Sequence, residues 1–222
     1  MSRIGVLGTG GVGRTVGAKL VAVGHEVKLG SRTPGGEAAT TFLAEAGEGG
    51  SEGSFADAAA FGELVVNATA GAASLAALEA AGAENLAGKV LWDVAIPLDW
   101  STGSLQLAVD VTSEDSLAEQ IQRAHPDAQV VKALNTMNSE VMVDPASLGE
   151  ATNVFVCGDE RAAKTRVIEI LETFGWLSGD IIDLGDLSAA RGLEAYVLLW
   201  VSIMGAVGTP RFNVRVVRGS GS

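Results

Sequence analysis

Residues 6–17, VLGTGGVGRTVG, place five glycines in twelve positions directly behind a short apolar run, and no other stretch limits the fold as tightly. Gly8, Gly10 and Gly13 have the spacing G-x-G-x-x-G at a point where a strand gives way to a helix, which is the context that gives the pattern meaning. Gly8 permits the tight turn out of the strand. Gly10 lets a pyrophosphate approach the backbone, and Gly13 lets the helix pack closely on the sheet. With Thr9, Gly11 and Val12 they surround a helix N-terminus whose free N–H groups favour phosphate, so these six residues are the expected dinucleotide contacts.

The end of the second strand, EVKLGSRTP, selects among dinucleotides. An NAD site places a carboxylate there for the ribose 2′-hydroxyl, whereas this chain has Gly30, Ser31 and Arg32. Ser31 donates a hydrogen bond and Arg32 a charge-assisted fork, a pair suited to a 2′-phosphate. The expected cofactor is NADP(H).

Continuous apolar runs at 4–7, 26–29, 64–68, 89–94, 129–133, 153–157 and 180–184 read as strands buried on both faces. Helical patterns lie between them, including Val12, Val16 and Leu20, residues 116–124, and residues 161–174. Residues 35–61 should hold a helix, a weak strand and a short helix, with GEGGSEG at 47–53 as a surface turn. Repetition of strand and helix implies an α/β fold, a doubly wound, mostly parallel Rossmann sheet with a short C-terminal helical extension. With 222 residues, one domain over 1–218 is expected, followed by linker-like residues 219–222.

In an open α/β sheet the C-terminal strand ends form the ligand crevice. They carry NATAG, DVAIPL and ALNTMNSE. Ala68, Thr69 and Ala70 are expected against the cofactor. Gly71, Ile96, Pro97, Asn135, Thr136, Met137 and Asn138 are the expected substrate contacts, although turns and a helix cap at Asn138 account for the last group equally well. His25 and His125 read as structural surface residues, Lys132 as an edge or solvent-facing residue, and Asp93 as a loop cap. No catalytic acid or base is assigned. Such a crevice suits hydride transfer between two stacked rings, in which orientation supplies most of the rate.

A net charge of −12 argues against nucleic acid and anionic membrane as partners. The uncharged stretch 195–208 is short for a bilayer span, and nothing at the start resembles a signal peptide. A single cysteine and no metal-ligand spacing fit a reducing, cytoplasmic setting without a metal. Residues 187–204 read as a helix that is apolar on nearly every side from Ala195 onward, which implies a homodimer.

Together GTGGVGRTVGAKL, GHEVKLGSR, NATAG, KALNT and DLGDLSAARGLE resemble the NADP-dependent coenzyme F420 oxidoreductase family along nearly the whole chain. The resemblance implies hydride transfer between NADP(H) and the deazaflavin F420 as co-substrate, with Thr9, Ser31 and Arg32 at its NADP-binding positions. The membrane-anchored metalloreductases carry a similar NADPH domain. Reduction of another flavin, a metal chelate or an imine, or a non-catalytic NADP(H) sensor, are the alternative readings.

Overall fold

The computed structural model describes residues 1–99, 106–107 and 114–219. Its strands are β1 (Arg3–Leu7), β2 (Glu26–Ser31), β3 (Gly50–Ser54), β4 (Leu64–Asn67), β5 (Val90–Asp93), β6 (Leu98–Asp99), β7 (Gln106–Leu107), β8 (Gln129–Ala133), β9 (Val154–Cys157) and β10 (Ile181–Asp183). The helices are α1 (Gly11–Ala22), α2 (Glu37–Ala46), α3 (Phe55–Phe61), α4 (Gly71–Ala81), α5 (Ala83–Leu86), α6 (Leu117–Ala124), α7 (Ser139–Val143), α8 (Arg161–Thr173) and α9 (Ala190–Val207).

Eight strands form one sheet in the order β10-β9-β8-β5-β4-β1-β2-β3, while β6 and β7 pair separately. Within the large sheet only β8 and β9 run antiparallel, in agreement with a mostly parallel, doubly wound Rossmann arrangement. The chain leaves β1 toward β2 and β3 on one side and later adds β4, β5 and β8 on the other. The order therefore reverses between β1 and β4, where a ligand crevice opens above the strand ends.

Apolar strands alternate their side chains between two cores. Ile4, Val6, Leu64, Val66 and Trp92 face α1, α2, α7 and α8, whereas Leu7, Val65, Leu91 and Val130 face α3, α4, α6 and the start of α9. Val16 and Leu20 lie one turn apart on α1, and both are fully buried. Each such side chain contributes about 1.5–3 kcal/mol of transfer free energy. Trp92 on β5 reaches Phe174 beyond the end of α8, with ring centroids 6.2 Å apart, and anchors that helix to the sheet.

Two expectations about residues 35–61 resolve differently. The helix, weak strand and short helix are present as α2, β3 and α3. The surface turn expected over 47–53 is wrong from Gly50 onward, because Gly50 to Gly53 pair with Val27 to Gly30 of β2. A hydrophilic GSEGS sequence is tolerated there because β3 is an edge strand, with one face of its backbone ladder unpaired. His125 is also not a surface residue. It is 8% exposed and closes α6, and burial lowers its pKa. His25 is half-buried, with its pKa lowered chiefly by burial.

The C-terminal helix divides in two. Ala190, Leu193, Glu194 and Val197 of α9 are buried, but Leu198 and Leu199 are 44% and 56% exposed. An entirely internal helix is thereby excluded. Over Leu187–Val207 it is long and apolar enough to cross a membrane by length and composition, but its first turns carry Arg191 and Glu194, both bonded into the protein. Trp200 stacks on Phe212, and the segment beyond it returns to the start of β9, where Asn153 donates its backbone N–H to the Val214 carbonyl. Of the expected linker, residues 220–222 lie outside the described residues.

Candidate functional site

A cavity of about 420 Å³ opens over the crevice between β1 and β4. Gly8, Thr9 and Gly10 form its floor, Ser31 and Arg32 one rim, and Ala68, Thr69 and Ala70 the opposite one. Sequence reasoning did not identify its far wall, which is Phe55 together with Ala73, Ala76, Ala77 and Ala80 of α4. Their helical spacing was visible, but α4 becomes a wall only through the way it crosses the sheet. Alanines on that face leave room for a flat ring that larger side chains would fill.

The glycine loop has the geometry its sequence demands. Gly8 adopts φ +113°, which L side chains rarely adopt, and a Cβ on Gly13 would lie 2.0 Å from the Gly8 carbonyl oxygen. Among the described residues nothing comes within 4 Å of a Cβ placed on Gly10 or Gly11, so they leave the space above that turn open. No side chain caps the α1 N-terminus at Gly10, and no acidic residue stands in its first turn. Its orphan amides and the positive end of its dipole are therefore available to an anion.

At the β2 end, Ser31 is 9% exposed and its Oγ has no hydrogen-bond partner among the described residues. A buried hydroxyl without a partner incurs a desolvation cost that a ligand acceptor would remove. Arg32 beside it is exposed and has no ion-pair partner among the described residues. The loop after it is held from below, since Gly35 N donates to Glu52 Oε2 of β3 at 3.1 Å.

The expected substrate residues fall into two groups. Gly71, Ile96 and Pro97 meet one another directly after Ala70 of the cavity wall, without lining the cavity themselves, and Gly71 N donates to the Ile96 carbonyl at 3.1 Å. Asn135, Thr136 and Met137 are buried and do not line the cavity. Asn135 donates its Nδ2 to the Leu193 carbonyl of α9 at 2.9 Å, and Asn138 accepts from Val141 N as the cap of α7. The Asn135 Oδ1 and Thr136 Oγ1 are buried without partners among the described residues, and the residue before them, Leu134, has φ +68°.

Lys132 is the clearest correction. It is neither at an edge nor facing solvent, but fully buried between Asp93 at 2.7 Å and Glu194 at 2.9 Å. Asp93 caps its loop as expected, accepting from Ala95 N at 3.1 Å. Burial alone would depress the lysine pKa, but the two carboxylates outweigh it and raise the value, so the ammonium stays charged. Behind it, burial pushes the Cys157 thiol up to about 12, which leaves that sulfur inert.

The family model described as NADP oxidoreductase coenzyme F420-dependent matches residues 3–97. A crystal structure from Arthrobacter sp. FB24, of a provisionally named F420-dependent NADP-reductase, has TM-score 0.92 and 48% identity over 98% of this chain and 100% of that one. The chain belongs to this family. The F420-dependent NADP reductase of Methanocaldococcus jannaschii is 26% identical over 120 residues, 54% of this chain and 52% of that protein. Metalloreductase STEAP3 of Rattus norvegicus is 30% identical over 203 residues, 88% of this chain and 36% of that protein. The chain thus matches about half of one curated relative and about a third of the other.

NADP(H), the cofactor of the family, fits the groove. The uncapped α1 N-terminus and the open turn at Gly10 and Gly11 suit its diphosphate, and the Ser31 hydroxyl and Arg32, neither with a partner among the described residues, suit its 2′-phosphate. In a Gly13→Ala variant the methyl group meets the Gly8 carbonyl, which must move. Overpacking of this kind costs about 1–3 kcal/mol, and the turn that yields is the one facing the diphosphate. The variant is expected to bind NADPH at least about tenfold more weakly in a fluorescence titration. Wild-type affinity in that variant would contradict the close-approach argument.

Proposed function

We propose that this chain transfers a hydride between NADP(H) and coenzyme F420, as one domain over residues 1–218. The observation that carries the reading is the 48% identity, over the full length of both chains, to the Arthrobacter protein named for that reaction. The Ser31 and Arg32 pair at the end of β2 supports the NADP half independently.

In this reading bound NADPH supplies the hydride, and the protein binds, orients and excludes water. The amides of Gly8 to Gly13 hold the diphosphate, while Ser31 and Arg32 hold the 2′-phosphate. Ala68, Thr69 and Ala70 let the cofactor lie close to the β4 turn. Gly71, Ile96 and Pro97 bound the side where the acceptor stacks. Among the described residues lining the cavity none is a carboxylate, imidazole or thiol, which fits a rate that comes from ring alignment.

NADPH oxidation followed in parallel with F420, free flavin mononucleotide and a ferric chelate tests the acceptor. F420 is expected to be turned over fastest. Equal or faster turnover of the chelate would favour the metalloreductase-like reading.

The exposed half of α9 supports a second element of the proposal, a cytoplasmic homodimer. Leu198, Leu199 and Val207 are exposed apolar side chains on the outer half of a helix whose first turns are fixed. A second copy of the chain presents the same adjacent pair, Leu198 and Leu199, and can cover it by two-fold symmetry. A Leu198→Glu/Leu199→Glu variant is expected to sediment as a monomer while the wild type sediments as a dimer. A monomeric wild type at micromolar concentration would contradict this.

A further inference from the structure

Bonded to the turns that carry Thr69 and Pro97 lies a buried charge cluster that hydride transfer does not use. The Lys132 ammonium donates to Asp93 Oδ2 at 2.7 Å, to the Ala95 carbonyl at 2.6 Å, and pairs with Glu194 Oε1 at 2.9 Å. All three charged side chains are 0% exposed. The other Asp93 oxygen accepts from Asn67 Nδ2 at 2.9 Å, and Asn67 Oδ1 accepts from Thr69 Oγ1 at 2.7 Å. Glu194 also accepts from the first amides of α6, Leu117 N at 2.7 Å and Ala118 N at 3.0 Å.

Three consequences follow. All three ammonium protons are engaged, so the group has none to give a substrate without breaking the cluster. A buried ion cluster contributes little net stability compared with apolar residues of the same volume. What directional bonds do provide, and apolar contacts do not, is a fixed geometry for the groups at their ends. Those ends are the turn 67–69 after β4 and the turn 95–97 after β5, which the Gly71 to Ile96 hydrogen bond also joins.

We propose that Lys132 is a positioning residue for the nicotinamide half of the cofactor. Through Asp93 and Ala95 it sets the two turns on which that half rests, and through Glu194 it makes their setting depend on how α9 docks. The adenosine half, held at Ser31, Arg32 and the alanine face of α4, is independent of it. This rests on the NADP(H) reading but not on the identity of the acceptor.

The test separates the two halves. A Lys132→Met/Asp93→Asn/Glu194→Gln variant removes the clamp without stranding a buried charge. It is titrated with NADPH, observed by nicotinamide fluorescence, and with 2′,5′-ADP, which lacks the nicotinamide. NADPH is expected to bind about tenfold more weakly with altered emission, the scale of one or two lost buried hydrogen bonds. Affinity for 2′,5′-ADP is expected to be unchanged. Thr69→Val, which leaves every buried charge in place, is expected to show the same selective loss, and Thr69→Ser to restore wild-type binding. Equal losses for both ligands, or none for either, would overturn the inference. Wild-type protein that binds neither ligand would instead overturn the cofactor reading beneath it.

Discussion

Arg32→Glu is expected to weaken NADPH binding by about a hundredfold or more while leaving NADH binding nearly unchanged. Arg32 is exposed at the rim of the groove, without an ion-pair partner among the described residues, and next to a buried serine hydroxyl that lacks a partner. Hydrogen bonds to a charged group contribute about 1.5–3 kcal/mol, and a carboxylate facing a phosphate adds repulsion to their loss. About 3–4 kcal/mol in total corresponds to a factor of about 10²–10³ in Kd. NADH has no 2′-phosphate, so the substitution removes nothing from it. Parallel fluorescence titrations with the two cofactors read the effect, and a variant that kept its preference for NADPH would contradict the assignment.

The second large effect concerns stability. Lys132→Met removes the cation that pairs with both Asp93 and Glu194 and leaves two carboxylates facing each other in a dry interior. Breaking a buried ion cluster by deleting one partner costs about 3–5 kcal/mol. For a chain of this size that is a fall of roughly 10 °C in Tm. Adding Asp93→Asn and Glu194→Gln to the same chain is expected to recover most of it, because no uncompensated charge then remains. Thermal melts of the single and triple variants make the comparison. A single variant as stable as wild type would show that the cluster is less buried, or less charged, than its geometry indicates.

What could be read from the sequence was local. The glycine turn, the Ser31 and Arg32 pair and the continuous apolar strands are each specified within a dozen residues, and the fold places all of them as expected. β3 was obscured because an edge strand does not need the apolar pattern that marks a central one. Lys132 was misread because a lysine within an apolar run looks like an edge residue until its partners are known. Those partners come from β5 and α9, which only the fold brings together. A lysine in VVKAL and a glutamate in GLEAYVLLW are each anomalous in an apolar setting, and opposite charges in two such runs are the signal that could have paired them. The helical spacing of the α4 alanines is local, but neither it nor Phe55 marks a cavity wall, since that role depends on how helices cross the sheet. Asn135 to Met137 show the reverse, a polar strand end that looked like a pocket wall and is largely buried.

The central claim is hydride transfer between NADPH and a deazaflavin, and the direct measurement is anaerobic mixing of the protein with oxidised F420 and NADPH, then separately with NADH. Rapid loss of deazaflavin absorbance with NADPH, and little with NADH, is the expected result. If NADPH binds while F420 stays oxidised, the acceptor is contradicted, and if NADH serves equally well, so is the role of Ser31 and Arg32.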